Sequence, residues 1–296
     1  MISLESDDWR LWISPENGAS WMACEVRRGA EWLSLMPDCR GDDAPLGAAS
    51  FCLAPYSNRI RDGHFVYAGD AIQLDDAQKH AIHGAVRKLP WRTVSSSVDA
   101  AVCRIDSREH ESFNWPWPMI TTMDTRLASN SLTSTLTIEN ASSRPMPAGL
   151  GWHPYFTRTI AGASPTLLLP VDGVFPDASA DGLPDGPAVE LPSEFDYREA
   201  RPIAPDIHVD HCMSGFSGQA RIAWPDAGFA IDMQTSEPCR FAILYHPLGE
   251  SCFALEPVTN VNDAFNLEPR GIDAGLREIA PGGTLSATMT LMLDLL

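Results

Sequence analysis

A large antiparallel β-sandwich is the fold class that this chain predicts, on three observations. Its apolar residues recur with period two rather than 3.6, no long amphipathic helical stripe interrupts them, and 24 prolines with 21 glycines punctuate 296 residues. In chain order, short strands are expected at 9 to 14, 20 to 26, 64 to 74, 91 to 105 and 118 to 127. Leu132, Leu136 and Ile138 then alternate with Thr133, Thr135 and Thr137, the pattern of a half-buried strand. The stretch from Ala161 to Pro205, rich in Pro, Ala, Gly and Asp, reads as long loops. Beyond it, Phe229, Ile231 and Met233 follow the turn-like Pro225-Asp226-Ala227-Gly228, and another strand is expected at 240 to 246. The last segment sets Leu285, Ala287, Met289, Leu291, Leu293 and Leu295 on one side and Ser286, Thr288 and Thr290 on the other. The inner faces of two such sheets form a core, and one side is free to curve into a cleft. No linker separates two cores, so residues 1–296 are expected to form a single domain.

Composition narrows the function by exclusion. A formal charge of −18, from 39 acidic against 21 basic residues, opposes phosphate backbones and anionic lipid surfaces, so neither nucleic acid nor membrane is an expected partner. The first residues lack a basic stretch leading into an apolar one, and no run approaches the length of a spanning helix, which together point to a soluble, cytoplasmic protein. Seven cysteines at irregular spacings, without Cys-x-x-Cys, read as reduced core residues. Oligomeric state is not legible.

Several short motifs carry the chemistry. They are Pro55-Tyr56-Ser57-Asn58-Arg59-Ile60 with Gly63-His64-Phe65, then His80-Ala81-Ile82-His83-Gly84, Gly151-Trp152-His153-Pro154-Tyr155-Phe156, and Phe195-Asp196-Tyr197-Arg198. Val209-Asp210-His211, Leu255-Glu256-Pro257 and Pro281-Gly282-Gly283 follow. Two separated imidazoles, an arginine, an aspartate and a glutamate suit the surroundings of one small polar substrate. In this order, the motifs resemble the aldose 1-epimerase family, the galactose mutarotase-like enzymes, over most of the chain. The resemblance implies a supersandwich fold and the exchange of sugar anomers: a base takes the C1 hydroxyl proton, an acid protonates the ring oxygen, and the ring opens and recloses. No redox cofactor is needed for that reaction, and none is expected.

Carried onto this sequence, the resemblance makes Glu256 the base and His153 the acid, with His83 beside the ring oxygen or a neighbouring hydroxyl. Glu256 lies next to the apolar Phe253-Ala254-Leu255, where partial desolvation strengthens a carboxylate as a base. The ordinary pKa of histidine leaves both forms of His153 accessible near neutrality. Gly84 suits a tight turn or close backbone approach. Arg59 is expected to donate to substrate oxygens, Asp210 to accept from sugar hydroxyls, Asn58 to join them, and Trp152, with Trp115 or Trp117, to offer an apolar face to the sugar ring.

His80 with His83, and His208 with His211, have His-x-x-His spacing, but positions three apart on a strand point to opposite faces, so no metal is expected. The Gly-Trp-His-Pro-Tyr-Phe form is closer to a broad bacterial subgroup than to galactose-specific enzymes, so galactose preference does not follow. Arg61, two positions after Arg59, either faces the pocket and favours a sugar bearing phosphate, sulfonate or carboxylate, or lies at the surface; the latter, with a neutral hexose or pentose as substrate, is the expectation. Two rival classes remain: a glycosidase pairing Asp210 with Glu256 at the required separation of about 5 to 9.5 Å, which leaves the histidines idle, and a noncatalytic sugar-binding protein, which has no use for the Glu256 and His153 pair.

Overall fold

A computed structural model describes residues 1–41, 44, 46–75, 79–177 and 181–296. Among them, two large antiparallel sheets dominate. The first, of ten strands, runs Ile2–Glu5, Trp9–Ser14, Ser20–Arg28, Ser50–Leu53, Gly151–Thr157, Cys252–Val258, Phe241–His246, Val209–Ser214 and Gly173–Val174, with Glu31–Met36 also pairing with Ser20–Arg28. The second, of nine, runs Arg92–Ser96, Ala100–Asp106, Met119–Leu127, Ser131–Asn140, Thr284–Leu295, Phe229–Thr235, Gln219–Trp224, Thr166–Leu168 and Arg201–Pro202. The β-sandwich expected from the alternation is the observed architecture.

The second sheet obeys period two because only one of its faces is covered. Leu285, Ala287, Met289 and Leu291 are buried against Leu132, Leu136 and Ile138, and the opposite face carries a ladder of hydroxyls. Thr133 with Thr290, Thr135 with Thr288 and Thr137 with Ser286 share hydrogen bonds of 3.2, 2.9 and 2.8 Å. Cross-strand pairs of this kind fix register at a solvated surface. Leu295 departs from the pattern: it is still paired with Phe229, but at the end of the strand its side chain is exposed.

The centre of the first sheet behaves differently. Every residue of Ser50–Leu53 and of Cys252–Val258 is buried, as are the first four of Gly151–Thr157. One face packs on the second sheet and the other lies beneath loops, so no alternation marks these strands. That loop-covered face holds an apolar cluster of its own, which includes Phe51, Leu53, Cys212, Ile243 and Val258. Two of the expected strands are hairpins: 64 to 74 divides into His64–Tyr67 and Asp70–Gln73, and 91 to 105 into Arg92–Ser96 and Ala100–Asp106. The stretch 161 to 205 is largely loop, with brief strands at Thr166–Leu168, Gly173–Val174 and Arg201–Pro202; its residues 178–180 lie outside those described. All seven cysteines are free and buried.

Candidate active site

The register of the first sheet brings together residues that lie far apart in sequence. His153 opposes Phe51, Ile243 opposes Glu256, and Cys212 opposes Ile243. The pairs Gly151 with Val258 and Tyr155 with Ala254 bracket His153 and Glu256 on neighbouring strands. One step further along the sheet, Asp210 opposes Tyr245. Side chains two apart on a strand share a face, so His153, Tyr155, Glu256 and Asp210 all project toward the covering loops.

His153 Nε2 lies 3.1 Å from Glu256 Oε1, and the two side chains are 5% and 1% exposed. The imidazole is enclosed by rings: Phe51 at 4.6 Å, Tyr155 at 4.5 Å and His83 at 5.2 Å between centroids. Burial lowers the His153 pKa to about 3, and the nearby Arg87 charge presses the same way. His83 is likewise held well below the usual histidine range, first by burial and then by the charges of His153, Arg87 and Arg59. Glu256 is pushed well above the carboxylate range by burial and by Asp210, with Arg59 opposing. Both shifts run toward the uncharged forms, so burial disfavours an ion pair between His153 and Glu256. Glu256 Oε2 and His153 Nδ1 are buried without a hydrogen-bond partner among the described residues. The pair can take a proton at one atom and deliver one at another.

Loops supply the other walls. His83 follows the strand His80–Ile82 with a left-handed backbone, φ 64°, and its N–H donates to the Asn58 carbonyl at 2.8 Å. A Cβ on Gly84, itself at φ 74°, would meet the Ala54 carbonyl oxygen at 2.2 Å, so the turn that carries His83 requires glycine. Asn58, also left-handed, is buried and accepts a 2.9 Å hydrogen bond from Arg59 Nη1. Arg59 lies against Gly182, where a Cβ would fall 2.3 Å from Nη1, and its Nη2 is 3.9 Å from Asp210 Oδ2. Burial raises the Asp210 pKa while the Arg59 guanidinium resists the rise.

Two cavities open on this face. One, of about 580 Å³, is lined by Arg59, Asp210 and His211; the other, of about 380 Å³, by Phe51, His83, Arg87 and Tyr155. Ile82 lines both, and the buried His153 and Glu256 lie beneath rather than in either wall. Cavity size alone would place the chemistry too far toward Asp210; the buried pair of titratable groups is the better guide.

The structure thus brings Glu256, His153, His83, Arg59 and Asp210 to one region. Asn58 holds Arg59 in place instead of facing the cavity with its carbonyl oxygen. Trp152 is a correction: it is 1% exposed in the core, where its Nε1–H donates to Ser134 Oγ of the second sheet at 3.1 Å. One residue before His153 on the same strand, it must point the opposite way. Trp115 and Trp117 are also core residues, stacked on Phe65. Arg61 lies outside both cavities, 44% exposed and 3.4 Å from the buried Asp263 carboxylate. His80 Nδ1 accepts from the Asp62 N–H at 3.1 Å, and no group of three or more potential metal ligands gathers among the described residues. Phe51, Gly182 and Arg87 were not signalled, since none belongs to a motif with chemical content of its own, and Ile82, inside the His80 to Gly84 motif, is apolar and drew no role.

A model of the family described as aldose 1-epimerase matches residues 12–292. The chain belongs to the aldose 1-epimerase family. Over 262 residues it is 31% identical to YphB of Escherichia coli K12, an uncharacterized protein, covering 83% of this chain and 84% of that one. The fold is shared with a galactose mutarotase-like protein from Clostridium acetobutylicum, at a TM-score of 0.85 and 19% identity over 99% of this chain and 95% of that one. A GalM/aldose epimerase homologue from C. elegans gives 0.83 at 14% identity, over 100% and 98%. Membership in this family accounts for the two-sheet architecture. No helix among the described residues is long and apolar enough to cross a membrane.

Proposed function

We propose that this member of the aldose 1-epimerase family interconverts the α and β anomers of a free monosaccharide. The observation that carries the reading is the buried His153–Glu256 pair, 3.1 Å apart at the floor of the site. In a hemiacetal the hydroxyl oxygen and the ring oxygen share one carbon, so the groups that exchange protons with them must stand close together. A single pair in contact meets that requirement.

In the forward direction Glu256, as carboxylate, takes the C1 hydroxyl proton while His153, as imidazolium, gives one to the ring oxygen. The bond from C1 to the ring oxygen breaks and C1 becomes the aldehyde carbon. After rotation about the C1–C2 bond, the hydroxyl attacks the other face of the aldehyde, His153 takes back its proton, and Glu256 returns one to the C1 oxygen. From the charged form of the pair, opening leads to the neutral form that burial favours, and closure restores the charged form at a corresponding cost. Arg59 favours the ionised form of Glu256, and His83 stands beside His153, close enough to share contact with the ring oxygen in this reading. A glycosidase reading leaves His153 without a role, and a noncatalytic sugar-binding protein has no reason to bury the pair.

The test is an NMR exchange measurement on free sugars with the purified protein. Accelerated interconversion of anomers, without cleavage of glycosides, is the expected result. Glu256→Gln should bind sugar yet lose most of the rate, because an amide cannot accept the C1 proton; near wild-type turnover in that variant would remove Glu256 from the base role.

A further inference from the structure

The smaller cavity departs from the charge balance of the chain. Against a formal charge of −18, it is lined by Arg87 and Lys88 and by no described carboxylate. Arg87 is the more unusual of the two. Its side chain is half-buried, its guanidinium carbon lies 5.1 Å from the centre of the Phe51 ring, and it makes no ion pair or side-chain hydrogen bond with any described residue. Most other arginines of this acidic chain pair with a carboxylate, as Arg40 does with Asp38 and Arg221 with Asp232 and Asp294. A planar fork of donors facing a cavity without a described carboxylate is suited to a carboxylate, phosphate or sulfonate supplied from outside.

Position ties this cation to the reaction. Phe51, beneath Arg87, packs against both His83 and His153, and His83 and Tyr155 line the same cavity. We propose that the cavity holding Arg87 and Lys88 is an anion subsite of the anomer-exchange site, and that the preferred substrates are aldoses bearing an oxyanion substituent away from C1. The inference rests on the anomer-exchange reading and replaces the neutral-sugar expectation drawn from Arg61. Arg61 is engaged by Asp263; Arg87 supplies the cation instead. A bound anion also offsets the Arg87 charge that disfavours protonated His153, so an acidic sugar helps to create the acid that its own ring opening needs.

The experiment compares glucose with glucuronate, glucose 6-phosphate and the 6-sulfonic acid of glucose by NMR anomer exchange. At least one acidic sugar should exceed glucose in kcat/KM by about tenfold or more, the scale of a charge-assisted bidentate contact. That ratio should collapse in Arg87→Gln and persist within a few-fold in Arg87→Lys, with folding of both variants checked by circular dichroism. Glucose turned over as well as all three acids, or a ratio unaltered in Arg87→Gln, overturns the subsite and leaves anomer exchange standing. Exchange of no sugar at all sinks the proposed function; saturation-transfer NMR then decides the subsite alone. Binding of an acidic sugar by the wild type and its loss in Arg87→Gln support the subsite, and absent or unaltered binding overturns it.

Discussion

Glu256 and His153 each carry an opposite consequence of the same burial. A proton on Glu256 is held more tightly in the folded chain than the usual 4.5 of the unfolded one, so folded stability falls as pH rises above that value. His153, lowered to about 3 from 6.5, works the other way: its contribution is lost as pH falls below 6.5. Gln does not titrate, so Glu256→Gln should gain melting temperature relative to wild type, and the gain should widen from pH 5 to pH 8. A difference between the two melting curves that does not change with pH would contradict a raised Glu256. His153→Asn should lower the exchange rate by about 10² to 10⁴, the usual worth of a positioned general acid; a change confined to KM would reassign it to binding. At this scale much was legible in the sequence, because Glu256, His153, His83, Arg59 and Asp210 sit in short motifs whose residue types match the chemistry. Trp152 was misread for a physical reason: a motif shows which residues are neighbours in sequence, whereas strand parity decides which of them faces the site, and Trp152 and His153 have opposite parity. Arg87 gave no signal, since only the absence of a carboxylate around it among the described residues makes it unusual, and that is a three-dimensional fact.

The elements most legible in the sequence contribute least to the site. Thr284–Leu295 and Ser131–Asn140 alternate because one face is solvated, and both belong to the second sheet, away from the cavities. The strands that carry the candidate catalytic pair are covered on both faces, so Ser50–Leu53 and Cys252–Val258 read as short apolar runs that periodicity cannot classify. Loop elements hold the remaining groups by backbone geometry, and Gly84 is the clearest case. Alanine there would press its Cβ into the Ala54 carbonyl and require an L residue at φ 74°, just where the Ala85 N–H donates to the same Ala54 oxygen at 2.8 Å. We expect Gly84→Ala to cost about 1–3 kcal/mol of stability, the usual scale of such backbone strain, and to reduce the exchange rate by shifting His83. Calorimetry and the exchange assay measure the two effects separately. A variant with wild-type melting and wild-type rate would show that the turn tolerates a side chain and does not set the position of His83.

Across the whole molecule the chain weaves between the sheets so thoroughly that no cut between Ser96 and Cys252 leaves either one intact. Strands from the N-terminal, middle and C-terminal parts meet in the first sheet, where Ser50–Leu53, Gly151–Thr157 and Cys252–Val258 are consecutive neighbours. In the second, the last strand, Thr284–Leu295, inserts between Ser131–Asn140 and Phe229–Thr235, and a single apolar cluster runs from Leu4 and Trp9 to Leu291 and Leu293. Interleaving of this kind makes the halves mutually dependent: the candidate base on Cys252–Val258 is positioned by strands drawn from three regions of the chain, and the closing strand supplies the centre of the sheet behind it. A single-domain organisation of residues 1–296 therefore predicts one cooperative loss of structure on heating, with enzymatic anomer exchange vanishing in the same transition as the far-ultraviolet circular dichroism signal. Removing residues 284–296 should abolish folding rather than trim it, because two neighbouring strands would lose their ladder partner and the buried row Leu285, Ala287, Met289 and Leu291 together. Two resolved calorimetric peaks, or a truncated chain that still melts cooperatively, would mean that the sheets can stand apart and that the single-domain reading is wrong.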